Sequence, residues 1–326
     1  MCAGCCENGF RCSTYFYESD RTTIMTDKKK ALVLINKIAG TGRGANDALD
    51  MATALAHEGY EPIMYPIIPG TDFSSEKILA EYDGKIELVL CSGGDGTLNH
   101  VMSAIMNMKE KPLLSYIPAG STNDFARGIG IPGQRSRAID VAVHGKPYAY
   151  DVGKMNDRYF NYVAAFGAFS KVSYATDQEL KNVLGYAAYV LSAIAELPQN
   201  IGYSCHMRVE AEGISEEGDY VFGAMSNSAS VGGMNLFGDT DIQQNDGKME
   251  LLLIRAPKNL SEFGAVITAL ANKEPGNPYI TFKQVSYAKF ISDEKTEWTL
   301  DGEFGGAYNK TEIKVINKAI SLMTKQ

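Results

Sequence analysis

Short apolar segments alternate with amphipathic segments through the first half of the chain. The apolar stretches are typical of buried strands, and the segments between them repeat apolar residues at helical spacing. This pattern predicts strands over residues 30–35, 61–68, 86–91 and 113–117, and helices over residues 47–57, 74–82 and 98–108. Because strands and helices alternate, we expect an α/β fold with a doubly wound, mostly parallel sheet.

The pattern changes after about residue 150. The segments become short and are separated by turn residues, which is typical of antiparallel strands in a β-rich, sandwich-like domain. Helical spacing interrupts this half at residues 180–197 and 260–272. The last apolar stretch, residues 311–316, is a candidate to return to the first sheet.

A cysteine-rich tail precedes both halves. It holds four of the six cysteines, namely Cys2, Cys5, Cys6 and Cys12. Two of them have the C-x-x-C spacing of metal sites, but no second pair or nearby histidine completes four ligands. We therefore expect a disordered, reduced tail over residues 1–24, a first domain over residues 25–150 and a second over residues 151–326.

The charge and the distribution of apolar residues argue against several classes of protein. The net charge of −8 argues against a nucleic-acid partner. No run reaches the ~20 apolar residues that span a bilayer, and no basic region followed by an apolar stretch marks a signal peptide. The uncharged stretch at residues 182–195 is expected to be a buried helix, with a membrane-facing helix as the alternative. We expect a cytoplasmic protein without a transmembrane segment, and a homodimer as the default assembly.

The first candidate for chemistry is the glycine-rich turn SGGDGT at residues 92–97, which links a predicted strand to a predicted helix. Glycines let the backbone approach a ligand, and free N–H groups and the helix dipole then point at one place. The turn predicts an anion site, which the Asp95 carboxylate would fit if Mg²⁺ bridged it to phosphates. Thr97 and Asn99 could also reach a nucleotide. The alternative is an ordinary tight turn in which Asp95 caps the helix.

A second polar loop, AGSTNDF, follows the next predicted strand. Gly120 and Ser121 can present N–H and hydroxyl groups, and Asn123 and Asp124 follow at once. Ligands of parallel sheets bind beyond the carboxyl ends of the strands, so two such loops favour one shared site. The alternative is a polar helix cap without a ligand.

The loop after the first strand adds Asn36 and two cations, Lys37 and Arg43. Cations on a glycine-rich loop suit phosphate oxygens, but no G-K-[ST] closes a Walker A loop here. The four histidines, His57, His100, His144 and His206, show no pairing pattern along the chain and are expected to be structural.

Two acidic turns lie in the second half. The carboxylates of Asp301 and Glu303 in LDGE could supply a general base, or form only a surface turn. The stretch QNDGK around Asp246 predicts a turn of the Asp-Gly type.

Taken together and in this order, the motifs NKIAGTGRG, SGGDGTLNHV, IPAGSTNDFARGIGIP, NDGKMELL and LDGE resemble those of the diacylglycerol kinase catalytic family. The likeness is greatest to its soluble bacterial lipid kinases and extends from about residue 28 to the C-terminus. The GGDGT motif alone is less specific, because NAD kinases and phosphofructokinases use similar loops.

The resemblance implies an α/β nucleotide-binding domain, a following β-sandwich-like domain and an active site between them. It implies ATP and Mg²⁺ as cofactors, and a lipid hydroxyl at the membrane surface as acceptor, with diacylglycerol converted to phosphatidic acid as the first expectation. The protein would then lie peripherally at the inner face of the membrane. The residues expected near ATP are Asn36, Lys37, Arg43, Gly93, Gly94, Asp95, Gly96, Thr97, Leu98, Asn99, Gly120, Ser121, Asn123 and Asp124.

The resemblance also implies roles in the second half. The base would be Asp301 or Glu303, since relatives are described with either residue in that role. A structural Mg²⁺ would be held by the Asp246 carboxylate and by main-chain oxygens of Gln243 and Lys248.

Two other functions stay open at this point. One is a kinase of NAD or of a sugar phosphate, and the other is a nucleotide- or lipid-binding module without catalysis. The STNDFA loop favours a lipid acceptor. The presence of Asp95, Asp124, Asp301 and Glu303 favours an active enzyme.

Overall fold

The computed structural model describes residues 28–36, 47–120, 123–167, 204–227, 230–231, 234–235, 243–272 and 277–325. Several expectations lie outside these residues: the cysteine tail, Lys37, Arg43, Ser121, and the helix expected over residues 180–197 with its apolar stretch at 182–195.

Four short strands form a parallel block in the first half. They are β1 (Lys30–Ile35), β2 (Glu61–Pro66), β3 (Leu88–Gly93) and β4 (Leu113–Pro118). Their order is β2-β1-β3-β4, with parallel register throughout. The apolar runs of β1 and β3 are buried along nearly their whole length, as expected for inner strands of a parallel sheet.

In the part of the chain that the structure describes, five helices accompany this block: α1 (Ala48–His57), α2 (Ser75–Glu81), α3 (Asp95–Met106), α4 (Asp124–Gly128) and α5 (Arg135–His144). α1 contacts α5, and α2 contacts α3. The hydroxyl of Ser74 accepts a bond from the Lys77 N–H and thereby caps α2.

The second half is built from antiparallel strands. They are β5 (Lys146–Met155), β6 (Arg158–Phe160), β7 (Val163–Gly167), β8 (Cys205–Ala211), β9 (Ile214–Ser226), β10 (Ser230–Val231), β11 (Met234–Asn235), β12 (Met249–Arg255), β13 (Ile280–Val285), β14 (Tyr287–Leu300) and β15 (Glu303–Thr324), with helix α6 (Leu260–Asn272) between β12 and β13. Trp298 lies in its core, with ring centroids 4.9 Å from Phe166 and 5.0 Å from Phe290.

The long last strand joins the two halves. β15 pairs antiparallel with β14 and β5, and near its end Leu322 lies beside Leu114 of β4 in parallel register. The result is one sheet of 13 strands, ordered β13-β12-β9-β7-β14-β15-β4-β3-β1-β2 along its main path. Two apolar cores pack against it, one in each half.

The predicted parallel strands and the strand-rich second half are confirmed, whereas the doubly wound arrangement stays a prediction. The helix expected from residue 98 begins earlier, at Asp95, so the motif GGDGT runs from the last residue of β3, Gly93, into the first turn of α3, which starts at Asp95. Gly94 precedes it in an extended conformation. Within the described segments, no helix has the length and hydropathy needed to cross a bilayer.

Candidate active site

The two glycine-rich motifs touch each other. A methyl group placed on Gly120 would lie 2.7 Å from the Gly94 Cα atom, closer than real side chains approach backbone. The Ala119 N–H donates to the Gly93 carbonyl over 2.8 Å, which continues the pairing of β3 and β4 into the loops. Gly120 therefore has no room for a side chain, whereas a methyl group on Gly94 would lie a tight 3.3 Å from the Gly120 Cα atom, and the two loops form one surface.

Gly120→Ala should separate the two loops. The added methyl would meet Gly94 Cα at 2.7 Å and Asn123 Oδ1 at 2.9 Å, and overpacking of this kind costs about 1–3 kcal/mol. We expect a lower free energy of unfolding in urea. Gly133→Ala is the matched control, because no atom of the described residues lies within 4 Å of a methyl there. Equal stability of the two variants would contradict the close approach.

Asp95 joins the loops in a second way. Its carboxylate accepts the backbone N–H of Asp124 over 3.0 Å and that of Phe125 over 3.4 Å, so it caps the short helix α4 and not its own helix. Burial raises the pKa of the Asp95 carboxyl, although the bond from the Asp124 N–H opposes the rise. Each oxygen keeps further capacity to accept or to bind a cation.

The remaining members of the two loops are held locally. Asn123 has a left-handed backbone with φ of 51°, and its side chain bonds both the N–H and the carbonyl of Gly120. The Asp124 carboxylate pairs with Arg127. Asn36 donates to the Thr97 hydroxyl over 2.7 Å and ties the end of β1 to α3. Leu98 is fully buried, so only its backbone could face a ligand.

Asp301 lies at the junction of the two halves. It is 5% exposed and accepts three backbone N–H bonds, from Asn161, Tyr162 and Val163. The Asn99 side chain of α3 donates a fourth bond over 2.5 Å. Burial raises the pKa of the Asp301 carboxyl to about 6, against the opposing effect of these bonds. All four acceptor positions of the carboxylate are therefore in use.

The geometry of the β14–β15 turn directs the second carboxylate. Asp301 and Gly302 have φ of 50° and 86°, which turns the chain tightly between the two strands. Glu303 follows as the first residue of β15. Its Oε1 lies so close to Gly96 of α3 that a methyl group placed on Gly96 would be 2.3 Å from this oxygen. Its side chain is 51% exposed. Of the two carboxylates in LDGE, Glu303 is thus the accessible one.

A cleft of about 480 Å³ lies at this place. Its lining comprises Asn36, Ile67, Pro69, Gly70, Ser74, Ser75, Glu76, Gly94, Gly96, Thr97, His100, Gly120 and Glu303. The sequence-predicted residues Asn36, Gly94, Gly96, Thr97, Gly120 and Glu303 are brought together there. The lining residues between positions 67 and 76, and His100, were missed, because nothing in their local sequence marks them.

Two of the four histidines expected to be structural, His144 and His206, are surface groups paired with carboxylates. His144 contacts Glu58 and Asp140, and His206 contacts Glu217 and Asp219. His100 differs from these two because it lines the cleft. Its Nδ1 lies 3.2 Å from Glu76 Oε1, and its Nε2 lies 3.8 Å from Glu303 Oε2.

The turn at residues 243–248 is separate from the cleft lining. Asp246 Oδ1 accepts the Lys248 N–H over 2.9 Å, and the Asp246 side chain is exposed. A buried carboxylate, Asp151, anchors the turn by accepting the Gly247 N–H over 2.6 Å and the Lys318 N–H over 2.5 Å. Among the described residues, no group of three or more acidic, histidine or cysteine side chains is arranged to hold a metal. A cation here would rest on one carboxylate, main-chain oxygens and water, which suits Mg²⁺.

Comparison with known proteins supports the resemblance of the motifs. Residues 30–155 match the model of the diacylglycerol kinase catalytic domain. Diacylglycerol kinases from Staphylococcus aureus strains MRSA252 and USA300 are each 30% identical to this chain over 280 residues, which covers 86% of this chain and 87% of theirs.

Solved structures share the fold. The crystal structure of a diacylglycerol kinase from Bacillus anthracis strain Sterne superposes with a TM-score of 0.69 at 18% identity, covering 92% of this chain and 98% of that one. Another structure from the same strain gives a TM-score of 0.75 at 22% identity, with the same coverage.

Proposed function

This chain belongs to the diacylglycerol kinase family and is a kinase, and we propose that it transfers the γ-phosphoryl group of ATP to a lipid hydroxyl, with diacylglycerol as the acceptor and phosphatidic acid as the product. The observation that carries this proposal is the position of Glu303. Its carboxylate, from one half of the chain, lies over Gly96 in the first turn of α3, from the other half. A base and a phosphate-binding surface thus face one cleft.

The phosphate-binding surface is the start of α3 together with the loop at Gly120. The first N–H groups of a helix lack partners within the helix and carry partial positive charge, so they favour phosphate oxygens. The Thr97 hydroxyl lines the same cleft and is already held by Asn36. Phosphoryl transfer depends chiefly on positioning and charge neutralisation, which this rigid surface supplies.

The Mg²⁺ that accompanies ATP fits at Asp95. Mg²⁺ in kinases is typically held by one or two carboxylates together with substrate phosphates, so a single carboxylate at the junction of the two loops is sufficient. When bound, the ion would offset the charge that develops on the phosphates. Because Asp95 also caps α4, the same carboxylate would link the metal to the position of the second loop.

We assign the role of general base to Glu303 and a positioning role to Asp301. Glu303 lines the cleft and is half exposed, so its carboxylate can meet an incoming hydroxyl. Asp301 is buried and already accepts four hydrogen bonds, so it could take a proton only by losing a partner. Its bonds instead hold the turn that directs Glu303.

The experiment that tests the function is a transfer assay with γ-labelled ATP and a panel of acceptors, with and without Mg²⁺. Diacylglycerol in mixed micelles should become labelled, whereas NAD and fructose 6-phosphate should not. Phosphatidylglycerol, a polyprenol and a sphingoid base complete the lipid arm of the panel. Labelling of NAD or of the sugar phosphate alone would contradict the proposal, and ATP binding without labelling of any acceptor would support a non-catalytic module.

The turn at residues 243–248 should bind Mg²⁺ as a structural ion. Asp246→Ala removes its one carboxylate, so the rise in melting temperature that millimolar Mg²⁺ gives to the nucleotide-free protein should shrink or vanish. Asp293→Asn, at an acidic site elsewhere on the second half, is the control. If Asp246→Ala keeps the full Mg²⁺-dependent rise, the ion binds elsewhere.

A further inference from the structure

The wall of the cleft carries a chain of three titratable side chains. His100 lies four residues after Gly96 on α3, and this spacing places both on the same helix face. The imidazole has Glu303 of β15 on one side and Glu76 of α2 on the other. All three side chains line the cleft, and each is about half exposed, at 57% for His100, 53% for Glu76 and 51% for Glu303.

The contact with Glu76 selects the imidazole tautomer. A carboxylate can only accept a hydrogen bond, so Nδ1 at 3.2 Å from Glu76 Oε1 carries the hydrogen. In the neutral ring the lone pair is then on Nε2, which faces Glu303 Oε2 at 3.8 Å. Nε2 is therefore the ring nitrogen that can receive a proton from Glu303.

Resting on the function proposed above, we propose that His100 is the proton outlet of the catalytic base, and that Glu76 is the positioning residue that holds its tautomer. The bond between the γ-phosphorus and its bridging oxygen to ADP breaks as the acceptor oxygen bonds to that phosphorus. The acceptor proton goes to the Glu303 carboxylate, then to His100 Nε2, and the imidazolium releases it to water. One proton leaves per turnover, and Glu303 returns to its ionised form.

The imidazole suits this transfer because its neutral ring has one nitrogen that donates, here Nδ1 to Glu76, and one, Nε2, that can accept the proton from Glu303. Release to bulk water follows readily because His100 is exposed on the cleft wall. The imidazole also extends from Glu303 toward Glu76 of α2, so it adds a route for the proton along the cleft wall.

His100→Gln tests the outlet, because the amide keeps hydrogen-bonding capacity but cannot carry a proton. We expect kcat for lipid phosphorylation in dilute, non-imidazole buffer to fall about tenfold or more, with the KM for ATP unchanged. Added imidazole should restore much of kcat in this variant and leave the wild type unaffected. A residue that only positions Glu303 would not give such rescue. His57→Gln, at an exposed histidine at the end of α1, is the matched control.

Glu76→Gln is the second variant, since it disturbs the tautomer and leaves the ring in place. We expect a smaller loss of kcat than in His100→Gln. Thermal unfolding of each variant confirms that the fold is kept. Wild-type kcat in His100→Gln, or a loss that imidazole does not reverse, would overturn the outlet. A wild-type protein that labels no lipid would instead overturn the proposed function, so the two failures are distinct.

Discussion

Glu303→Gln should lower kcat for lipid phosphorylation about a hundredfold to ten-thousandfold and leave ATP binding and the fold intact. The range is that expected for loss of a general base. Glutamine keeps the size and polarity of the side chain, and Glu303 is half exposed at the start of β15, so its replacement removes no buried contact. Single-turnover transfer from labelled ATP measures the chemical step, and calorimetric titration with a non-hydrolysable ATP analogue measures binding.

Glu297→Gln on the adjacent strand β14 is the matched control for this experiment. Glu297 is an exposed carboxylate a few residues before the turn, and it should be neutral for activity. If Glu303→Gln retained full kcat while Asp301→Asn folded and was inactive, the base would be Asp301. If both variants lost ATP affinity with the fold intact, neither residue would be a base in the transfer step.

Asp301→Asn should lower both stability and activity. The carboxylate accepts backbone N–H bonds on both of its oxygens, whereas an amide offers one oxygen and places an NH₂ group against the remaining donors. At least one buried N–H then lacks a partner, and each such loss costs about 1–3 kcal/mol. Because the turn that positions Glu303 loosens, kcat should also fall. Urea denaturation measures the loss of free energy of unfolding.

The stability difference between wild type and Asp301→Asn should depend on pH. Burial raises the pKa of Asp301 from 3.8 to about 6, so the folded protein binds the proton more tightly than the unfolded chain. The stability contributed by this group is therefore fully present below about pH 4 and is lost as pH rises through 6. Asparagine does not titrate. The difference in free energy of unfolding between wild type and Asp301→Asn should therefore shrink by up to about 3 kcal/mol between pH 4 and pH 7.

Asn99→Ala gives the complementary control for Asp301. It removes the bond from α3 and leaves the three backbone donors in place, so its effect on stability should be smaller than that of Asp301→Asn. A deficit for Asp301→Asn that stayed constant with pH would contradict the raised pKa of the buried carboxyl.

The sequence allowed the elements of the first half to be predicted because their signals are local. The apolar runs of β1 and β3 and the glycines after them depend only on neighbouring residues. The meeting of the two glycine-rich loops was also predictable, since the ends of adjacent parallel strands lie at one edge of a sheet. The close approach of Gly94 and Gly120 brings the two loops together, as this rule predicts.

Other features depend on residues that are distant along the chain. Glu76, His100 and Glu303 come from three separate elements, and no spacing rule connects them. The two carboxylates of LDGE look equivalent in sequence, yet the backbone donors at residues 161–163 bury one and leave the other exposed. Asp95 was predicted either as a cap or as a metal ligand, and the structure shows that the helix it caps is α4.

The 22-residue strand β15 begins with Glu303 and ends beside β4. Cutting the chain near residue 150, where the sequence pattern changes, would leave β4 as an unprotected edge of its sheet. Exposed edges of this kind recruit other strands and promote aggregation. A fragment that ends near residue 150 is therefore expected to aggregate when expressed alone, and the two halves are best regarded as a single cooperative folding unit.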